Sequence, residues 1–496
     1  MRIAFVSSEV FPYAKVGGLG DVSGALPKAL QQLGHSVKVF LPKYSAINFN
    51  DVPLEYVETA GEMPIRVNGN VFNTRLFKSH LTGSNAEVYF IDCPYYYHRT
   101  GEGGKPVIYT NHADEDERFI HFTKAVIESL QRLQWKPDVI NVNDWPTALL
   151  PLLIKDNYSW DKFYHDVATV ISVHNIGYQG RFPRETMSKA EIRKDLFFRN
   201  SPIEVWGSFC FLKTGLIYAD AINTVSPTYA MEITTSEYGE GLEGALHYRI
   251  NDFYGILNGV DYSVWNPETD RLIPFNYSVD DLSGKYKNKK YLFEQLGQPA
   301  DPDVPLIGVI SRLVSQKGFD LIAGGINRLM AYNARWIVLG SGEQRYEDLF
   351  RYLAHTFPHK FIFLNAKDEA AAHLIEAAAD IFLMPSKYEP CGLNQIYSLK
   401  YGTVPVVRKT GGLADTVYDW DESRHADTYL GDGFSFYDYT AEALISSVER
   451  ALRCYLQKDV WNRIIKNGMV KDYSWERSAK QYVEMYKHAI AKRRGE

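Results

Sequence analysis

The chain has 496 residues, of which 45% are hydrophobic and 23% charged, with a formal net charge of −6 at pH 7. That length exceeds one ordinary core, so two or more domains are expected, and that composition is globular rather than disordered. The negative charge argues against general nucleic-acid or membrane-surface binding, no apolar run reaches the length of a membrane span, and four cysteines (Cys93, Cys210, Cys391, Cys454) without C-x-x-C spacing argue against a zinc or disulfide framework. The first residues pass from a charged side chain straight into an apolar strand. No signal or transit peptide is therefore expected, and a reducing, cytoplasmic setting fits.

Residues 2–8 read as that apolar strand. The turn after it, Lys15-Val16-Gly17-Gly18-Leu19-Gly20-Asp21-Val22, opens into a helix over 21–33. A strand, a glycine turn and a helix start make an anion site. Backbone N–H groups and the helix dipole favour a phosphate, and glycine lets the main chain approach it. Lys15 adds a mobile positive charge. A plain strand-to-helix turn explains the glycines about as well. The spacing is neither the dinucleotide G-x-G-x-x-G nor the P-loop, which speaks against a dinucleotide oxidoreductase. The pattern returns at Lys409-Thr410-Gly411-Gly412-Leu413-Ala414-Asp415-Thr416, again after an apolar strand.

A second strand is expected at 35–41 and several short alternating strands over 53–92. Residues 98–112, with Gly101, Gly103, Gly104 and Pro106, read as a surface loop. Apolar residues at 119, 122, 126, 130 and 133 have helical spacing, and strands follow at 139–142 and 167–173. The character breaks near residues 254–261. Residues 262–305 hold scattered prolines and a Lys-rich helix at 285–296. A second series then begins, with strands at 306–310, 336–339, 361–364, 381–384 and 405–407. Helices are expected at 319–330, at 368–378 and after Cys391. The last run, 475–492, is helical, with Ser474 as its N-cap. The inferred fold class is α/β, two Rossmann-like domains facing a central cleft. Its chemistry belongs on loops at the carboxyl ends of the strands.

Several strand-end residues could carry that chemistry. Asp144, in Asn143-Asp144-Trp145-Pro146, could orient a sugar hydroxyl or simply form an Asx turn. His174, in Val173-His174-Asn175-Ile176-Gly177, is a site residue or a structural hydrogen-bonding group. Arg312 and Lys317 could neutralise a departing diphosphate, or be two solvated cations. Glu389, in Pro385-Ser386-Lys387-Tyr388-Glu389-Pro390-Cys391-Gly392-Leu393, suits a sugar hydroxyl or a helix start favoured by the dipole. Cys391 could be a reactive thiol there, though no His adjoins it. No cluster has metal spacing, and no metal is expected.

These motifs, together with Thr224-Val225-Ser226-Pro227, Leu257-Asn258-Gly259-Val260-Asp261 and Trp265-Asn266-Pro267, occur in an order that resembles the bacterial glycogen synthases and plant starch synthases. The resemblance covers essentially the whole chain. It implies a retaining GT-B glycosyltransferase that moves glucose from ADP-glucose, a substrate rather than a cofactor, to the non-reducing end of an α-1,4-glucan. It implies an acceptor-side domain at 1–255, a nucleotide-sugar domain at 256–470, and a helix at 471–496 that returns to the first domain. On that resemblance Lys15, Gly17 and Gly18 face the donor from the N-terminal domain, and Arg312 and Lys317 hold its diphosphate. Glu389, Cys391, Gly392 and Leu393 line its sugar and phosphate, Thr410, Gly411 and Gly412 its phosphate and ribose side, and Asp144 and His174 the sugar where the acceptor attacks. The chain departs from the family pattern at Asn143, Pro146 and Lys367, the last standing where bacterial relatives often place an aromatic against adenine. Two alternatives stay open: the same transfer from UDP-glucose, and a catalytically weak glucan-binding protein of the same fold.

Overall fold

The structure, a computed structural model, describes residues 1–50, 52–101, 104–110 and 112–496. Gly103 of the expected surface loop lies outside them. The chain divides into two compact units, Met1–Gly259 with Trp475–Glu496, and Val260–Ser474.

The first unit contains, in chain order, β1 (Arg2–Val6), β2 (Ser36–Pro42), β3 (Glu55–Tyr56), β4 (Met63–Val67), β5 (Asn70–His80), β6 (Glu87–Asp92), β7 (Val139–Asn143), β8 (Ala168–Val173), β9 (Arg181–Phe182), β10 (Glu204–Val205), β11 (Ser208–Cys210), β12 (Ala221–Thr224) and β13 (Phe253–Gly255). A parallel sheet runs β13-β12-β8-β7-β1-β2-β6, and β5 continues it in antiparallel pairing. Strands β7 and β8 are buried along their whole length and β1 from its second residue, as near-continuous apolar runs between helical layers must be. The helix after the glycine turn starts at Gly18, three residues earlier than expected, and ends at Gln32.

The final helix, Trp475–Arg494, packs on this sheet and satisfies two buried asparagines in it. Asn223 on β12 donates to the Tyr482 hydroxyl (3.0 Å), and the Tyr486 hydroxyl donates to Asn141 on β7 (2.6 Å). Buried amides need such partners, so these two tyrosines fix where the helix lies. Gly259, just before the chain leaves this unit, has no room for a Cβ against Trp475.

The second unit contains β14 (Leu306–Ile310), β15 (Arg335–Leu339), β16 (Phe361–Leu364), β17 (Ile381–Met384), β18 (Val404–Arg408) and β19 (Phe434–Phe436), all parallel in the order β16-β15-β14-β17-β18-β19. The Lys-rich helix is Ser283–Gln295, and two of its lysines are buried rather than solvated. Lys289 pairs with Asp380 (2.8 Å), whose carboxylate also accepts the Leu306 N–H. Lys285 donates to the Thr403 hydroxyl (2.7 Å) and to the carbonyls of Ala377 and Tyr401. Burial pulls its ammonium down to about 7. The Trp265-Asn266-Pro267 motif is half-buried against this unit, with Trp265 stacked on His373 (3.7 Å) and Tyr397 (4.0 Å).

Each sheet has a point where the strand order reverses. In the first unit β1 lies between β2 and β7, and in the second β14 lies between β15 and β17. Ligands of open α/β sheets sit outside the carboxyl ends of strands at such switch points. The loops leaving β1 and β7 carry Lys15 and Asp144, and those leaving β14 and β17 carry Arg312, Lys317 and Glu389.

Candidate active site

On the first unit the glycine turn is held from below. Glu9, 4% exposed, accepts the N–H groups of Val16 (2.6 Å) and Gly17 (2.9 Å). Its other oxygen accepts the Tyr109 hydroxyl (2.8 Å). Tyr109 reaches it because Arg118, fully buried, ties down the preceding loop. Arg118 donates to the Ile108 carbonyl (2.9 Å), the Tyr96 carbonyl (2.8 Å) and Glu115 (2.7 Å). Residues 98–112 are thus only partly the surface loop expected, since Ile108 is buried and Tyr109 belongs to the site. Glu9 is a residue that the sequence reasoning missed. Its one signal was a lone acid in the loop leaving β1.

Two amides of the expected phosphate cradle are therefore already occupied by a carboxylate. What the turn offers outward is bare main chain. A Cβ at Gly17 or Gly18 would meet nothing within 4 Å, and Gly17 is extended at φ −140°. Neither glycine is demanded by the unit's own packing, so both leave room for a group outside it. Lys15 stands at the edge, its ammonium 2.6 Å from Asp21 on the first turn of the helix.

Asp144 turns the chain out of β7 in the left-handed region (φ 54°), which Asp tolerates better than most residues. Its carboxylate does not close the Asx turn considered from the sequence. It crosses to the next strand end and accepts the His174 N–H (2.7 Å). Burial raises its carboxyl to about 7, and the nearby Glu9 charge adds to the rise, against the N–H groups of His174 and Asn175. Burial lowers the His174 imidazole to about 4, so it is neutral at pH 7. Asn143 spends its NH2 on the Val6 carbonyl, so its amide oxygen accepts from His174 Nε2 (2.9 Å). That tautomer leaves Nδ1 as the acceptor nitrogen. Asp144 and His174 therefore form one clamped pair beside the glycine turn.

On the second unit, Arg312, Lys317, Ser386, Glu389, Gly392 and Leu393 line one pocket at the ends of β14 and β17. Lys317 donates to Glu389 (2.6 Å), and Ser386 donates to the same oxygen (3.0 Å). Arg312 is exposed and, among the described residues, forms no ion pair. The two loops are stitched together, with Lys387 N–H donating to the Gln316 carbonyl (2.8 Å). Gly318, left-handed at φ 76°, lies so close to Pro385 that a Cβ would strike its carbonyl oxygen.

The helix expected after Cys391 starts at Asn394, which leaves Glu389 too far upstream for the dipole reading. Cys391, Thr410, Gly411 and Gly412 are not on the pocket lining. Gly411 and Gly412 instead support it from behind. A Cβ on either would run into the carbonyl oxygen of Glu389 or Cys391, and the Gly412 N–H donates to the Glu389 carbonyl (3.1 Å). The two glycine turns, alike in sequence, thus differ. The first is open, and the second is filled by its own chain. No group of three or more His, Cys, Asp or Glu suited to a metal occurs among the described residues, and none of their helices is long and apolar enough to cross a membrane.

Comparison with known proteins adds the family. A family model described as "Starch synthase catalytic domain" matches residues 2–248, and one described as "Glycosyl transferases group 1" matches residues 293–469. A glycogen synthase from Thermosipho melanesiensis is 43% identical over 495 residues, covering 99% of this chain and 100% of that protein. One from Koribacter versatilis is 44% identical over 493 residues, covering 99% and 98%. Among solved structures, the catalytic domain of starch synthase IV from Arabidopsis thaliana, bound to ADP and acarbose, is similar with a TM-score of 0.89 at 33% identity, covering 99% of each chain.

Proposed function

The chain belongs to the glycogen and starch synthase family of GT-B glycosyltransferases, and we propose that it transfers glucose from ADP-glucose to the non-reducing end of an α-1,4-glucan with retention of configuration. The observation that carries this reading is the pocket in which Arg312 and Lys317 converge beside Glu389. Two cations at a switch point, one of them held by Glu389, suit a diphosphate whose charge grows as it leaves.

On this reading the bond from the sugar's anomeric carbon to the diphosphate breaks. The acceptor hydroxyl bonds to the same face of that carbon, and its proton passes to the departing phosphate. Arg312, exposed and without an ion pair among the described residues, meets the diphosphate with its guanidinium. Lys317, aligned by Glu389, meets it from the same loop after β14, and Lys15, Gly17 and Gly18 are the donor contacts assigned on the first unit. Gly392 and Leu393 lie by its sugar and phosphate, with Cys391, Thr410, Gly411 and Gly412 in the wall behind them. Asp144 and the neutral His174 orient the sugar where the acceptor attacks. The protein's work is positioning and charge stabilisation, with no second carboxylate acting as in a glycosidase. ADP-glucose is a substrate, and neither a metal nor a cofactor takes part. We assign the enzyme to the cytoplasm, acting without nucleic acid or membrane.

One observation favours a second donor, UDP-glucose. Lys367 is exposed just after β16, at the position where the family resemblance implies an aromatic against adenine. The test is the initial rate of labelled glucose transfer to glycogen or maltooligosaccharide from each donor. A strong preference for ADP-glucose supports the proposal. Equal or better use of UDP-glucose overturns the donor assignment, and no transfer from either overturns the synthase reading.

A further inference from the structure

The hairpin of β10 and β11 turns through Trp206 and Gly207, because Val205 pairs with Ser208. Both turn residues are left-handed, at φ 49° and 81°. Such two-residue turns take Asn, Asp or Gly by default, and a bulky side chain there is a strained exception. Burial does not offset the strain, since Trp206 is 71% exposed.

The surroundings hold the ring still. The Arg181 guanidinium lies 4.1 Å from its centroid. Arg181 is itself pinned, donating to Gln179 (2.8 Å) and to the Glu240 carbonyl (3.0 Å). Glu204 accepts the N–H groups of Gly207 (2.5 Å) and Asn200 (2.6 Å) and fixes the turn. The backbone of Gly241 runs against the indole edge and leaves no space for a Cβ. Gln179 also donates to the Ile176 carbonyl (3.1 Å), two residues from His174. The backbone of Trp206 is therefore strained, and its ring is held in place, exposed and tied to the loop that leaves β8.

We infer that Trp206 is a stacking platform for the α-glucan acceptor. A pyranose ring presents C–H groups on its flat face, and these pack on the π surface of an indole, while the guanidinium steadies the ring. Strain of this kind persists where it serves a site, and here the side chain that bears it is the one left bare. The inference rests on the glucan-acceptor reading given above.

The test uses Trp206→Asn and Trp206→Phe in the full chain. Asn suits the left-handed turn, so that variant is expected to melt no lower than the parent. Maltoheptaose binding is measured by titration calorimetry, alongside the acceptor and donor KM. Trp206→Asn should weaken glucan binding and raise the acceptor KM roughly five- to tenfold, with the donor KM unchanged. Trp206→Phe should recover most of the loss. Unchanged binding in the Asn variant, equal loss in both variants, or no maltoheptaose binding by the parent overturns the platform. A parent that transfers glucose to glucan with an acceptor KM indifferent to Trp206→Asn refutes the platform alone. A parent that binds maltoheptaose through Trp206 yet transfers nothing supports the platform and refutes the synthase reading.

Discussion

Removing each of the two pocket cations in turn separates binding chemistry from folding. Lys317 and Glu389 are a largely enclosed pair, their side chains 17% and 8% exposed. Lys317→Met leaves the Glu389 carboxylate, among the described residues, with the Ser386 hydroxyl. Breaking a buried pair on one side costs about 3–5 kcal/mol, because the remaining charge stays desolvated. Arg312 is exposed and unpaired among the described residues, so Arg312→Ala should stay within about 0.5 kcal/mol of the parent. Both variants should lower kcat by about 100- to 1000-fold, the loss typical of one donor to a developing anion. Adding Glu389→Gln to Lys317→Met removes the stranded charge, so the double variant should regain much of the stability and none of the turnover. Urea unfolding and initial-rate transfer measure the two quantities on the same preparations. The reasoning fails if Arg312→Ala destabilises as much as Lys317→Met, or if turnover returns with stability in the double variant.

Two further outcomes follow from the first unit and from the contrast of the glycine turns. Asp144 is an acid whose carboxyl is raised from its ordinary 3.8 to about 7. Between those values the unfolded chain is ionised there and the folded one protonated, so this group's contribution favours folding at low pH and is lost as pH rises from about 4 to 7. The loss totals about 4 kcal/mol at 1.36 kcal/mol per unit. Asp144→Asn keeps the amide oxygen for His174 and should gain on the parent by that amount across the window, while parallel pH–stability curves would count against it. Gly17→Ala meets open space and Gly412→Ala meets the Cys391 carbonyl. The first should keep the parent's melting temperature and lose donor affinity, and the second should lose stability. Equal melting temperatures for both would remove the distinction between the turns.

The alternation of apolar runs with helical spacing set out the middle of both sheets but not their edge strands β13 and β19, nor β12. Strands β1, β7, β8, β14 and β17 fell where it predicts them, because a strand buried on two faces is a continuous apolar run whatever its neighbours are. In a parallel sheet the residue after such a strand lies at the carboxyl edge, so Lys15, Asp144, His174, Arg312 and Glu389 could be singled out by position alone. Partnership was another matter. Glu9 meets Tyr109 across 100 positions, Lys317 meets Glu389 across 72, and Asp144 meets His174 across 30. Local periodicity says which face of an element is apolar and nothing about which distant loop arrives opposite it. The same limit hid the burial of Lys285 and Lys289 in the Lys-rich helix, and the strain at Trp206, whose backbone is set by the hairpin register. It also made the two Lys-x-Gly-Gly turns look equivalent. Sequence determined the long buried strands and the residues at their ends. Tertiary structure alone decided which charges are paired and which glycines are crowded, because pairing and crowding depend on what the chain crossings bring together.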